Sequence, residues 1–314
     1  MALTNYPGLP ERMAAIRHLR KRGVPVIGFQ HGVSREINGM LDAAAAYTEN
    51  AATDLFLAYN ERAAAVANGQ PFAGGRSEAV GLPRRMTRAG RAPFWRRRTA
   101  IWYVSTNSYR GVWQSVAAAI SDREKAQREI AIVEEVLGRL DRPVVYKPYP
   151  EASYADPDPV LEHLSRYPNI SVHGDAVDLR YLFPHVGLIV TARATSTTAW
   201  CLMSGRPVVF LDLPDDQPLH VDVRGHFAAG LFLFDGTDPA ERERLHNFLK
   251  QPLSVITKAW AEKAAARQAL IGRYFSAGGR PGAGAAELIE GWLRQRPPRQ
   301  AANGRREQGA QHDG

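Results

Sequence analysis

The chain has 314 residues, 45% apolar and 23% charged, the balance of an ordinary globular protein. That excludes a wholly disordered chain, a collagen and a disulfide-stapled miniprotein. Its formal net charge of +8 is local: residues 84–98 hold seven arginines and no acid, residues 291–314 carry +3, and the rest carries −2.

A general nucleic-acid groove is therefore not expected, because its basic residues would line the folded part. The arginine segment reads as a solvated linker or as a contact for an anionic membrane surface. Phe94 and Trp95 lie inside it, and such headgroups attract juxtamembrane charge at about 1 kcal/mol each. The one cysteine, Cys201, has no partner for an internal disulfide and fits a reducing, cytoplasmic compartment. The opening residues MALTNYPGLPERM contain no apolar signal core. No apolar run approaches the roughly 20 residues of a membrane helix.

In chain order, a helix over Pro10–Arg22 ends at Gly23, and the apolar run Val24–Phe29 stops at Gln30-His31-Gly32. A second strand spans Asp54–Tyr59, a helix Glu61–Asn68 and a third strand Glu78–Leu82. After the arginines come a strand over Thr99–Ser105, a long helix over about Val112–Leu140 and a strand over Pro143–Lys147. There follow a helix over Pro159–Arg166, a strand over Ile170–Val172, a helix over Asp178–Phe183 and a strand over Gly187–Thr191. Next are a helix over Ser196–Ser204 and a strand over Pro207–Leu211. Helices near Pro239–Lys250, Leu253–Phe275 and Ala283–Arg294 precede a Pro/Gly/Gln-rich tail expected to be disordered. Short apolar strands alternating with helices predict parallel α/β units covered on both faces. The expected boundaries are residues 1–83, a basic linker 84–98, a second unit 99–277, a terminal helix 278–296 and a tail 297–314.

Ligands of such sheets bind beyond the carboxyl ends of the strands, and four strand ends carry polar chemistry. His31 precedes Gly32 and titrates in the range of a general base; otherwise it is a turn histidine. Ser105-Thr106-Asn107-Ser108 offers hydroxyls and an amide, or ordinary loop polarity. Lys147-Pro148-Tyr149-Pro150 places a point charge suited to phosphate between prolines, or is a kinked strand exit. The richest is GLIVTARATSTTAWCLMSGRPVVFLD. There Arg193 precedes Thr195, Ser196, Thr197 and Thr198 at a helix start. Hydroxyl residues cap such starts, and the free N–H groups there attract anions. Asp215-Asp216 reads as an exposed acidic turn, and no metal site is expected.

Taken together, strand–QHG, basic linker, strand–polar loop, strand–KPYP and strand–TARATST–helix–GRPVVF resemble the nucleotide-sugar glycosyltransferases of the GT-B fold. More narrowly they resemble proteins of bacterial capsule, lipopolysaccharide and other surface-carbohydrate synthesis. That group is similar to the glycerophosphotransferases of teichoic-acid synthesis and to sialyl- and Kdo-type transferases. The resemblance implies two Rossmann-like domains, with His31 as catalytic base in the first. It implies donor-phosphate binding by Arg193, Thr195, Ser196, Thr197, Thr198, Lys147 and Tyr149, where Tyr149 replaces the relatives' histidine. Ser105, Asn107 and Arg224 (in Arg224-Gly225-His226-Phe227) are further donor-site candidates. The first unit, with about three strands, is expected to be incomplete, and the terminal helix to return to it.

The expected reaction is metal-independent transfer of a sugar or polyol phosphate from a nucleotide-activated donor to a surface-glycan or lipid-linked acceptor. The donor is a substrate, and no cofactor is expected. The expected setting is the cytoplasm, peripheral to the inner membrane face. Two other readings stand beside it: a truncated relative that binds a nucleotide or partner without turnover, and a nucleotide-sugar epimerase or hydrolase on the same fold.

Overall fold

A computed structural model describes residues 1–5, 7–71, 73–83, 100–106, 120–149, 157–193, 195–276 and 279–295. The arginine segment, Asn107 and the tail lie outside these residues.

The first sheet contains β1 (Ala2–Thr4), β2 (Val26–Phe29), β3 (Leu55–Ala58) and β4 (Arg76–Ala79), parallel and in the order β1-β2-β3-β4. The sequence reading misses β1, because three residues show no periodicity, and places β4 too late. The residues Arg-Ser-Glu-Ala of β4 form an edge strand, where polar side chains are usual. The central strands VIGF and LFLA are apolar throughout because both faces are covered. Phe56 and Ala58 pack on Ala63, Ala64 and Ala67. On the opposite face Ile27, Leu55 and Leu57 pack on Leu288, Ile289, Trp292 and Leu293 of the helix Pro281–Gln295.

The second sheet contains β5 (Ile101–Val104), β6 (Val144–Lys147), β7 (Ile170–Val172), β8 (Leu188–Ala192), β9 (Val208–Asp212) and β10 (Phe232–Asp235). It is parallel throughout, in the order β10-β9-β8-β5-β6-β7. The chain runs outward from β5 through β6 to β7, then returns to the other flank of β5 with β8. The carboxyl ends of β5 and β8 therefore diverge at a topological switch point, where such sheets bind ligands.

The helix Val221–Gly230 and β10 are additions to the sequence reading. Two glycines and a Val-Asp-Val start leave that helix no clear apolar stripe. The expected helix over Leu253–Phe275 is two, Leu253–Glu262 and Ala264–Tyr274. At the break, the Lys263 ammonium donates to the carbonyls of Ala228 and Ala229 at 2.7 and 3.2 Å.

Of the helix expected over Val112–Leu140, residues 112–119 lie outside the described residues, and a helix begins at Asp122. Ser121 is its N-cap, and Ser121 and Glu124 form a reciprocal capping box. This helix carries Glu129 beneath the end of β5. Ser121→Ala is expected to lower unfolding free energy by about 1 kcal/mol, read as a lower urea midpoint at constant slope.

Candidate functional site at the strand ends

The residue that follows β8 is Arg193, whose φ of 65° is the one positive value at a non-glycine among the described residues. Such a left-handed backbone costs energy at a residue with a Cβ. Here it turns the chain sharply from the strand into the helix Ser196–Met203. It also accompanies a buried side chain: Nη2 donates to Asp216 Oδ2 at 2.6 Å, and the two side chains are 3% and 0% exposed. Asp216 is therefore not the exposed residue of an acidic turn. Asp215 is the exposed one and accepts from Arg128 at 2.5 Å. Arg193 Nε and Nη1 and Asp216 Oδ1 are buried without a hydrogen-bond partner among the described residues. Arg193 thus does not swing freely over the helix start; one edge of its guanidinium is fixed and the other is unsatisfied.

Thr195 occupies the N-cap with extended backbone, and its side chain accepts no capping bond, contrary to the expected hydroxyl cap. The Thr198 hydroxyl turns inward and donates to the Arg193 carbonyl at 3.2 Å, while Thr197 is partly exposed. The Thr198 N–H donates to the Thr195 carbonyl at 3.0 Å, while the N–H groups of the two residues before it lie where a helix supplies no acceptor of its own. The missing side-chain cap leaves the positive end of this helix facing the switch point.

Lys147 is buried. Its Nζ donates to the carbonyls of Asp175 at 2.9 Å and Pro148 at 3.3 Å, which ties the exit of β6 to the loop after β7. Burial lowers its pKa, against an opposing pull from Asp175. Tyr149 is exposed beside it. Arg224 is half exposed, and its Nε donates to the buried Asp212 at the end of β9 at 3.0 Å. Ser105 lies at the end of β5 with its hydroxyl against Glu129. Nothing in the sequence distinguishes Glu129 from its neighbours in the charged helix run, and it is absent from the expected site.

In the first sheet, His31 follows β2 with an exposed side chain. Its pKa is lowered, first by partial burial and then by the Arg12 guanidinium, which favours the neutral imidazole that can accept a proton. Its backbone N–H donates to Glu49 Oε2 at 3.3 Å. Behind it lies a buried polar cluster that the sequence does not announce. Arg35 pairs with Glu49 at 2.5 Å and donates to Asn50 at 3.1 Å. Gln30 donates to both oxygens of Glu36 at 3.1 Å and accepts from the Tyr59 N–H at 2.8 Å. The same loop reaches the second unit. Gly39 N–H donates to the Pro218 carbonyl and His220 N–H to the Ile37 carbonyl, Arg62 pairs with Asp222 at 2.5 Å, and Val33 and Ile37 join the larger core.

Burial raises the Glu36 carboxyl and pushes Glu49 from 4.5 to about 7, against the pull of Arg35. A raised carboxyl binds its proton more tightly folded than unfolded, so its stabilisation is full below the unfolded value and lost as pH rises to the folded one. Unfolding free energy is therefore expected to fall between about pH 4.5 and about pH 7. Urea titrations at both limits check this, and Glu49→Gln is expected to flatten the slope.

Among the described residues no three His, Cys, Asp or Glu side chains are grouped to hold a metal ion, and no helix is long and apolar enough to cross a membrane.

No protein family matches the chain, and no curated protein does. Solved structures do resemble it. The S. aureus MnaA–UDP co-structure is 12% identical with a TM-score of 0.55, covering 93% of this chain and 74% of that one. The trehalose 6-phosphate synthase of Burkholderia multivorans is 12% identical with a TM-score of 0.53, covering 95% and 73%. Anabaena HepE in complex with UDP-glucose is 14% identical with a TM-score of 0.51, covering 90% and 76%. At these identities the likeness establishes the fold, two parallel α/β sheets in the GT-B arrangement.

Proposed function

We propose that the chain is a glycosyltransferase-type enzyme that moves a sugar or polyol phosphate from a nucleotide-activated donor to an acceptor hydroxyl. The observation that carries this reading is the uncapped start of the helix Ser196–Met203, beside the half-satisfied Arg193 at the β5/β8 switch point. An anion there meets N–H groups and the positive end of the helix dipole. Structures of this fold named with UDP and UDP-glucose support a nucleotide-sugar donor.

In this mechanism the donor phosphates lie over Thr195, Ser196 and Thr197. The neutral His31 imidazole accepts the proton of the acceptor hydroxyl, whose oxygen bonds to the transferred carbon or phosphorus. The bond from that centre to the nucleotide's phosphate oxygen breaks, and its electron pair leaves with the phosphate. The helix start stabilises that growing charge without a metal, the kind of preorganised electrostatics that often dominates catalysis. Lys147 and Arg224 act by bracing the loops around the donor, and exposed Tyr149 contacts it. Ser105 and Asn107 complete the donor side. The motif resemblance adds the acceptor class, a surface glycan or lipid-linked saccharide of capsule or lipopolysaccharide type. It also suggests a cytoplasmic setting, with residues 84–98 against an anionic membrane face.

A thermal-shift screen against CMP, CDP, UDP and GDP tests the donor site. A nucleotide at one hundred times its Kd adds about 2.7 kcal/mol of stability and raises the midpoint by several degrees. No shift with any of the four contradicts the proposal.

A further inference from the structure

The hydroxyl of Ser105 has one proton, and among the described residues the groups it touches are acceptors; the Tyr146 hydroxyl, which also bonds with Ser105, has already given its own proton to Glu129. Glu129 Oε1 and Oε2 lie at 2.8 and 2.9 Å, and the Thr106 carbonyl at 3.2 Å. Glu129 in turn receives the Tyr146 hydroxyl at 2.5 Å and the Tyr103 hydroxyl at 3.3 Å. Tyr103 and Tyr146 stack at 5.4 Å between centroids, so the carboxylate sits in a fixed socket of three hydroxyl donors. A serine oxygen with its proton directed inward presents lone pairs outward. It has nothing to give a phosphate oxygen, which also only accepts.

We propose that Ser105 is a specificity-determining hydrogen-bond acceptor for a hydroxyl or N–H of the donor's nucleoside, held in that polarity by Glu129 as a positioning residue. The inference rests on the proposed nucleotide site and divides its labour. The helix start at Ser196 takes the anionic part, and Ser105, on the other flank of the switch point, reads the neutral part. Arg193 lies between them electrostatically: its charge acts on both Tyr103 and Glu129. It favours the ionised carboxylate that keeps the Ser105 proton inward. Burial, and to a lesser degree the Asp158 charge, oppose this by raising the Glu129 carboxyl, so Ser105 loses its fixed acceptor role when acid protonates Glu129.

The test compares the nucleotide selected by the screen with inorganic pyrophosphate, on wild type, Ser105→Ala and Glu129→Gln, by titration calorimetry. Leaving the nucleoside's donor unpaired is worth about 1–3 kcal/mol, so Ser105→Ala is expected to weaken the nucleotide about 5- to 150-fold and leave pyrophosphate unchanged. Glu129→Gln can donate its amide to Ser105 and turn that hydroxyl outward. It is expected to weaken the nucleotide likewise, and to remove the acid-side loss of affinity expected of wild type. Equal weakening of both probes by Ser105→Ala, or of neither, overturns the proposal while leaving the nucleotide site standing. No binding by wild type overturns the nucleotide site itself, and this inference with it. Should Glu129→Gln fail to fold, Ser105→Ala decides alone, since a partly exposed serine tolerates alanine.

Discussion

Asp216→Ala is expected to lower unfolding free energy by about 3–5 kcal/mol, the cost of stranding a buried charge. Arg193 is 3% exposed, and among the described residues Asp216 is its one side-chain acceptor. Both side chains are almost fully buried, so removing the carboxylate leaves the guanidinium charge away from water. Replacing both members of a buried pair with apolar residues is often far less harmful than removing one. Arg193→Met with Asp216→Leu is therefore expected to recover much of the stability while losing nucleotide binding. Urea unfolding of the single and double variants checks this; a single variant within 1 kcal/mol of wild type would mean that the pair is open to solvent. The same coupling makes Arg193→Ala a poor probe of phosphate binding, since it also strands Asp216.

His31→Asn is expected to reduce turnover by about 10²- to 10⁴-fold, the usual worth of a positioned general base, with nucleotide affinity unchanged. His31 is exposed as a residue and its ring is only partly buried, so the substitution is expected to cost about 1 kcal/mol of stability or less. Loss of rate is thereby separated from loss of fold. Because partial burial and Arg12 lower the His31 pKa, the wild-type rate is expected to fall only on the acid side of the ordinary histidine range. Release of nucleotide from the donor selected by the screen, followed against pH with and without acceptor, measures both effects.

Much of the fold is legible in the residues because buried parallel strands must be apolar. The runs VIGF, LFLA, IWYV, LIVTA and VVFLD stand out and all lie in the two sheets. The edge strands β1 and β4 do not stand out, since a strand covered less completely needs no such run. At the site, the strand-end motifs place His31, Ser105, Lys147 and Arg193 at carboxyl ends correctly, because that follows from element order alone. What each side chain touches does not follow. Lys147 and Arg193 carry the charges that suggest phosphate, yet both are drawn inward. Lys147 binds carbonyls and Arg193 binds Asp216, 23 residues away in sequence. Glu129, Glu36 and Glu49 are likewise invisible as buried groups, because their burial arises from packing between distant segments and leaves no mark on local periodicity.

The central claim is that an anionic nucleotide rests on the first turn of the helix Ser196–Met203. Thr197→Asp tests it most directly, since it places a negative charge where the phosphate is to sit while suiting the helix dipole, which favours such a charge by about 0.3–1 kcal/mol. The account predicts a melting temperature equal to or above that of wild type, together with nucleotide affinity weakened at least about tenfold, equivalent to ~1.4 kcal/mol. That is well within the ~4 kcal/mol repulsion of two unit charges about 4 Å apart near a protein surface. A well-folded Thr197→Asp protein that binds nucleotide as tightly as wild type would contradict the account.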